Sequence, residues 1–249
     1  MIDGALFSVA GKTIAVTGGS SGLGLRMVDM LAKHGANVIS ISRAHAPERN
    51  RAGGGEIIDI MADVTSPEEV GRAFDEAEAR LGTVTVVFNN AGVAQMARAL
   101  DTTREMLKAV FDVNVGGAFC VAQEAARRLI AAGKAGTIVN STSILAERPL
   151  KGAVAYAMSK AAVSHMTRAL ALEWATHDIR VNAIAPGWFP TRLNEAVMEG
   201  PGSGFLKGIN PLRRLGEVQD LDGAVLMLAS DASRYMTGAI VTIDGGHSI

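Results

Sequence analysis

The feature that most constrains this chain is the repeated alternation of two apolar patterns. Short runs rich in β-branched residues occur at 12–17 (KTIAVT), 37–42 (NVISIS), 57–62, 84–88 (VTVVF), 136–141 (GTIVNS), 179–184 (IRVNAI) and 239–243 (AIVTI). Several are apolar almost throughout, as strands covered on both faces are. Between them lie longer stretches with three- and four-residue apolar spacing. Leu23, Met27, Met30 and Leu31 mark one in 22–34, and further helical patterns run over 103–132, 153–176 and 218–229. At 66–69 the residues S-P-E-E read as a helix start, with Ser66 as N-cap, Pro67 in the first turn and Glu69 placed for a capping box. Gly82 would end that helix.

Strand followed by helix, about seven times over, predicts an α/β chain: a single Rossmann-type doubly wound domain of about seven parallel strands with helices on both faces. No linker rich in Pro, Ser or charge divides the 249 residues, so 1–249 reads as one domain. Two segments fit the alternation poorly. Residues 43–56 leave little room for a helix, and Gly53, Gly54 and Gly55 discourage one. Residues 187–210, with Gly200, Pro201, Gly202, Ser203 and Gly204, read as a mobile substrate loop with short helical pieces.

Charge and cysteine usage narrow the function. Twenty-four Lys and Arg nearly balance 25 Asp and Glu, so no basic field points to nucleic acid or an anionic membrane. The single cysteine, Cys120, excludes an internal disulfide and a Cys-based zinc site, and the five histidines lack a common ligand spacing; no metal is expected. No run of eighteen mostly apolar residues suggests a spanning helix, and Met1 to Lys12 lacks the early basic residue of a secretory signal. A cytoplasmic protein with a small-molecule substrate is the expectation.

T-G-G-S-S-G-L-G at 17–24 follows the first predicted strand and opens the first predicted helix. Glycines there let the backbone approach a pyrophosphate, and the helix N-terminus offers free N–H groups and a partial positive charge. Placement between a strand and an amphipathic helix favours dinucleotide binding over a bare structural turn. The end of the second strand should meet the adenosine ribose, where a carboxylate would accept from a 2′-hydroxyl and a cation would favour a 2′-phosphate. Ser42 and Arg43 stand there, with no carboxylate from 38 to 47, which favours NADP(H) over NAD(H).

Y-A-M-S-K at 156–160 sets Tyr156 and Lys160 four apart, on one face of a predicted helix. A phenol of pKa ~10 is a poor base at neutral pH, and lowering that value by about three units takes roughly 4 kcal/mol of differential stabilisation, to which a neighbouring ammonium contributes. Spacing alone is met as well by a half-buried tyrosine beside a snorkelling lysine.

The whole set of motifs is more specific. T-G-x-x-x-G-x-G at 17–24, N-N-A-G at 89–92, Asn114, Ser143 and Y-x-x-x-K, with Ser143 thirteen residues before Tyr156, together resemble the short-chain dehydrogenase/reductase family, from the first strand to D-G-G at 244–246. The likeness extends equally to its 3-oxoacyl carrier-protein reductases and its polyol or sugar dehydrogenases. It implies Tyr156 as proton donor and acceptor, Lys160 on the nicotinamide ribose, Ser143 on the substrate oxygen, and Asn114 as a helix-interrupting residue supporting a water-linked proton path to Lys160. On the cofactor side it implies Gly18, Gly22 and Gly24 as motif glycines, with Ser21 and Leu23 against the pyrophosphate turn. Asp63 and Val64 would meet adenine, and Asn90, Ala91 and Gly92 would pass the adenosine ribose. Pro186 and Gly187 would meet nicotinamide, and Thr191 its carboxamide. Asp63 also suits a second role, capping the Thr65–Ser66 turn.

The chain departs from the family pattern in two places. No basic residue occupies Gly19 to Ser21, so one common NADP signal is missing, and 188–191 (W-F-P-T) is bulky. Trp188, Phe189, Leu145 and Met96 are expected to border an apolar substrate pocket, with core packing the simpler role for Met96 and Leu145. The expected activity is an NAD(P)-dependent interconversion of a secondary alcohol and a ketone. A catalytically idle dinucleotide-binding protein and a nucleotide-sugar epimerase are the alternatives. The resemblance also implies a homotetramer.

Overall fold

The computed structural model describes residues 4–45, 54–191 and 201–249. Seven strands, β1 (Thr13–Thr17), β2 (Asn37–Ser42), β3 (Ile57–Met61), β4 (Val86–Asn89), β5 (Gly136–Ser141), β6 (Ile179–Pro186) and β7 (Ile240–Ile243), form one parallel sheet in the order β3-β2-β1-β4-β5-β6-β7. The order reverses between β1 and β4, and a ligand crevice is expected at that switch, outside the carboxyl ends of the strands.

The sheet is buried because helices cover both faces. Five of them are α1 (Gly22–Lys33), α2 (Pro67–Leu81), α3 (Arg104–Phe111), α4 (Ala118–Ala132) and α5 (Val154–Trp174); α6 (Pro201–Ile209) and α7 (Asp222–Ala229) complete the set among the described residues. Ile14 and Val16 of β1 pack with Met27 and Leu31 of α1 and with Val225 and Leu228 of α7. Ala15, between them, faces the other way, toward a core shared by α2, α4 and α5. This is the period of two that lets one strand serve two cores.

The helix boundaries follow local chemistry. Ser66 Oγ accepts from the Glu69 backbone N–H at 3.2 Å, but Glu69 Oε2 reaches past the cap to accept from Asp63 N at 2.8 Å. Half of the expected capping box therefore forms, and its acid ties the helix to the end of β3. The single helix expected over 103–132 is divided: Asp112–Gly117 form a π-helical segment between α3 and α4. Likewise 218–229 begins as a 3₁₀ turn at Val218–Leu221 before α7. Within 187–210, the glycine-rich stretch holds the nine-residue α6; residues 192–200 lie outside the described residues, as do 46–53 of the loop after β2. No helix of the described residues is long and apolar enough to cross a membrane.

Candidate active site

The β1–α1 turn is shaped by main chain in contact with main chain. Gly18 takes φ +68°, a left-handed value disfavoured by a side chain, and a Cβ there would stand 3.0 Å from Ala91 Cα. A Cβ on Gly24 would fall 2.2 Å from the Gly18 carbonyl oxygen, so the first turn of α1 can pack on the loop only as glycine. Gly18 N donates to Ile41 O at 2.8 Å, which pins the loop to β2. Ser21, the N-cap of α1, makes no side-chain capping bond, so its side chain does not occupy the first-turn N–H groups of the helix. Thr191 lies over this turn, its Cγ2 3.4 Å from where a Gly22 Cβ would be.

A cavity of about 190 Å³ continues from the loop, lined by Gly18, Ile41, Arg43, Asp63, Val64 and Gly92, with Ser42 and Ala91 also at its wall. Asp63 does take its second role: Oδ1 accepts from Thr65 N at 2.9 Å and from Thr65 Oγ1 at 2.8 Å. These bonds, the backbone one foremost, hold its carboxyl below the usual range, and Arg43 adds to the effect from 3.9 Å. Ser42 Oγ turns back to Ala44 O at 2.8 Å. Asn90 Nδ2 donates to Thr17 O at 3.1 Å, joining the ends of β4 and β1. The glycine cradle, the uncapped helix N-terminus and this cavity at the switch point fit a dinucleotide.

The chemical side chains collect beside the same crevice. Tyr156 and Lys160 lie on α5, with the Lys160 ammonium 5.6 Å from the phenol ring centroid. Lys160 is buried and, among the described residues, has no carboxylate partner; Nζ donates to Ser141 O at 2.7 Å. Burial disfavours its charge and pulls its pKa down to about 8. Burial pushes the Tyr156 phenol up to about 12, while a hydrogen bond with Ser143 acts in the opposite direction. Ser143 Oγ also accepts from Leu145 N at 3.1 Å, which fixes its rotamer at the end of β5.

Asn114 sits in the π segment and is fully engaged. Oδ1 accepts from Val93 N at 2.8 Å, and Nδ2 donates to Val93 O at 3.0 Å and to Ser159 Oγ at 2.9 Å. Gly92 is where these groups meet: a Cβ on it would lie 3.2 Å from Asn114 Oδ1 and 3.5 Å from Lys160 Nζ. Asn114 and Lys160 thus close on Gly92, and Tyr156 stands next to Lys160. Sequence reading passed over Ser159 and Ser141, although both flank the quoted residues, because a backbone acceptor and a helical serine carry no spacing signal of their own.

The expected substrate wall divides. Trp188 and Leu145 share a buried cluster with Ile144, Ala153, Ala157 and Leu206, and Tyr156 packs against it. Phe189 packs with the α1–α7 core, and it also lines a small cavity together with Trp188, Leu215 and Gly216; a Cβ on Gly216 would come 2.5 Å from its ring. Met96 also departs from its simpler reading: it is 46% exposed, next to the bridge between Ala97 and Ala153, and belongs to no core. Pro186 ends β6, and the missing side chain of Gly187 admits Asp244, whose Cβ would stand 2.6 Å away. Leu206 was not foreseen, since its helix lies in a glycine-rich stretch.

Residues 18–248 match the family model described as enoyl-(acyl carrier protein) reductase. The galactitol 2-dehydrogenase (L-tagatose-forming) of Cereibacter sphaeroides is 39% identical over 252 aligned residues, covering 98% of both chains. A short-chain type dehydrogenase/reductase from Mycobacterium marinum superposes with TM-score 0.90 at 35% identity, again over 98% of each chain. So does a gluconate 5-dehydrogenase from Burkholderia cenocepacia in complex with NADP and tartrate, with TM-score 0.90, 33% identity and 98% coverage of each. The chain belongs to the short-chain dehydrogenase/reductase family. It is an NAD(P)-dependent oxidoreductase acting on the CH–OH group of alcohols or on the corresponding ketones.

Proposed function

We propose that this enzyme interconverts a secondary alcohol and a ketone with Tyr156 as the proton-transfer group. The observation that carries the reading is that Lys160 and Asn114 close on Gly92, a wall residue of the dinucleotide cavity, with the Tyr156 ring beside the Lys160 ammonium. A bound nicotinamide supplies the hydride in reduction and accepts it in oxidation. Tyr156 gives the phenolic proton to the carbonyl oxygen in reduction and takes the hydroxyl proton in oxidation. Ser143, beside the phenol, orients that oxygen and stabilises its developing charge. Lys160 holds the nicotinamide ribose and favours the phenolate, and Asn114 supports a water-linked proton path to it.

Gly18, Ser21, Gly22, Leu23 and Gly24 would hold the pyrophosphate; Asp63, Val64, Asn90, Ala91 and Gly92 would hold the adenosine. Pro186, Gly187 and Thr191 would border the nicotinamide. NADP(H) is the preferred cofactor, on the strength of Arg43 at the cavity wall and the absence of a carboxylate at the end of β2. A homotetramer built partly by α4 and α5 is also proposed. Phe119 and Ile130 stay exposed on one face of α4, and Met158 and Leu172 on one face of α5, and sedimentation equilibrium reads the assembly directly.

Tyr156→Phe tests the mechanism, because it removes the proton and keeps the ring. Turnover should fall by roughly 10²–10⁴-fold, the usual worth of general acid–base catalysis, with dinucleotide affinity within twofold of wild type. Turnover within tenfold of wild type would remove Tyr156 from the chemistry.

A further inference from the structure

We infer that Ser159 is a positioning residue for the proton transfer: its hydroxyl ties the Asn114 amide to the helical turn that carries Tyr156 and Lys160. The inference rests on the proposed Tyr156 chemistry and adds a residue to it. Ser159 lies within the Y-A-M-S-K stretch of α5 and is 0% exposed. Its Oγ donates to the Tyr156 carbonyl oxygen at 2.7 Å and accepts from Asn114 Nδ2 at 2.9 Å. A hydroxyl has one proton, and here the carbonyl takes it. The chain of bonds therefore runs one way, from the Asn114 N–H through the Ser159 O–H to the Tyr156 C=O.

This chain joins two elements that are otherwise anchored separately. Asn114 belongs to the π segment, where Val93 N and O hold its amide. Lys160 belongs to α5 and is anchored by Ser141 O at the end of β5. Among the described residues, the bond from Asn114 to Ser159 is the one side-chain hydrogen bond between the π segment and α5. A displacement of about 1 Å in a reacting group can cost about a hundredfold in rate, so the register of this turn matters to the phenol it carries. The same helix holds an internal control. Thr167, eight residues or just over two turns further on, is also 0% exposed and makes the same pair of bonds. Its Oγ1 donates to Val163 O at 2.8 Å and accepts from Asn140 Nδ2 at 2.9 Å. Asn140 belongs to β5, so this second chain joins helix to sheet and ends on no residue of the proposed chemistry. The two hydroxyls serve the fold alike, and only the first ends on the residue that moves the proton.

The test sets Ser159→Ala against Thr167→Val in the full-length enzyme. In the cofactor-free protein, Ser159→Ala should speed backbone hydrogen exchange across Asp112–Gly117 at least fivefold, and Thr167→Val should leave that segment unchanged. With NADPH and either cyclohexanone or a 2-ketohexose, whichever the wild type reduces faster, Ser159→Ala should lower kcat about tenfold. Its KM values for ketone and NADPH should stay within twofold of wild type. Thr167→Val should lower the denaturant midpoint and keep kcat within twofold. Unchanged exchange at Asp112–Gly117, or an equal loss of kcat in the two variants, overturns the positioning role. Wild-type kcat in Ser159→Ala, with turnover still abolished by Tyr156→Phe, overturns it too and leaves the mechanism standing. Tyr156→Phe within tenfold of wild type overturns both. If neither ketone is reduced, the exchange comparison decides. Should Ser159→Ala fail to fold, Ser159→Cys, with a weak donor of similar size, takes its place with the same expected losses.

Discussion

The two sides of the crevice are built from different materials. On the dinucleotide side, the decisive contacts are made by main chain: the Gly24 first turn rests on the Gly18 carbonyl, and Gly18 rests on Ala91. Beside Tyr156, the packing is made by side chains from segments far apart in sequence, Leu145, Trp188 and Leu206, with Trp188 bonded to His247 near residue 249. The first kind of surface tolerates no added carbon and asks little of residue identity elsewhere. The second kind can change its lining one residue at a time while the sheet beneath it stays the same, so relatives with one fold can serve many substrates.

This contrast can be broken from either side. The largest effect is expected at Gly24→Val, whose branched side chain must displace the Gly18 carbonyl. Dinucleotide affinity measured by calorimetry should fall about a hundredfold or more, in keeping with the 1–3 kcal/mol or more that overpacking costs. Wild-type affinity in that variant would show that the loop is not shaped by close packing. Next comes Arg43→Ala, which should weaken NADPH about tenfold and leave NADH unchanged, in line with one lost charge-assisted bond. Equal weakening of both cofactors would assign Arg43 to bracing Asp63 instead.

A third effect, read in stability and not in affinity, concerns Lys160, on the side-chain-built half. Its folded pKa is about 8 against an ordinary value of 10.5, so the unfolded chain binds the proton more tightly between these limits. Stability rises with pH wherever the unfolded state holds more protons. The Lys160 contribution is therefore complete above pH 10.5 and is lost as pH falls through 8. Denaturant unfolding of the cofactor-free wild type and of Lys160→Met should show the wild type gaining on the variant from pH 8 to 10.5. A flat difference would mean that the ammonium is solvated in the folded protein.

Legibility in the sequence follows the same division. The sheet could be read because strands covered on both faces need continuous β-branched runs, and β1, with all five residues buried, shows the cause. The glycine loop could be read because only glycine fits at fixed spacing. That Tyr156 and Lys160 stand beside each other on one helix could be read from their four-residue interval. How the expected wall residues pack could not. Trp188 and Phe189 are adjacent and bulky, yet one joins the cluster against Tyr156 and the other the core under α7, a choice set by backbone direction and not by composition. The helix over Leu206 was hidden in a stretch of Gly, Pro and Ser, where local propensity opposes a helix and packing of Leu206 under α6 favours it. Asp63 caps the Thr65 turn and also lines the cavity after β2, whereas sequence alone set the cap beside an adenine contact as alternatives.

The π segment at Asp112–Gly117 has one consequence for how this protein can vary. A π turn holds one residue more than an α turn, so the stretch behaves as an insertion carried inside an otherwise continuous rod. Excising a single residue there would let α3 run into α4 without a break, and would swing Asn114 about 100° around the axis, away from Val93 and Ser159. The straighter rod would be the less competent one, and the irregularity persists because a regular screw has no way to aim that amide inward.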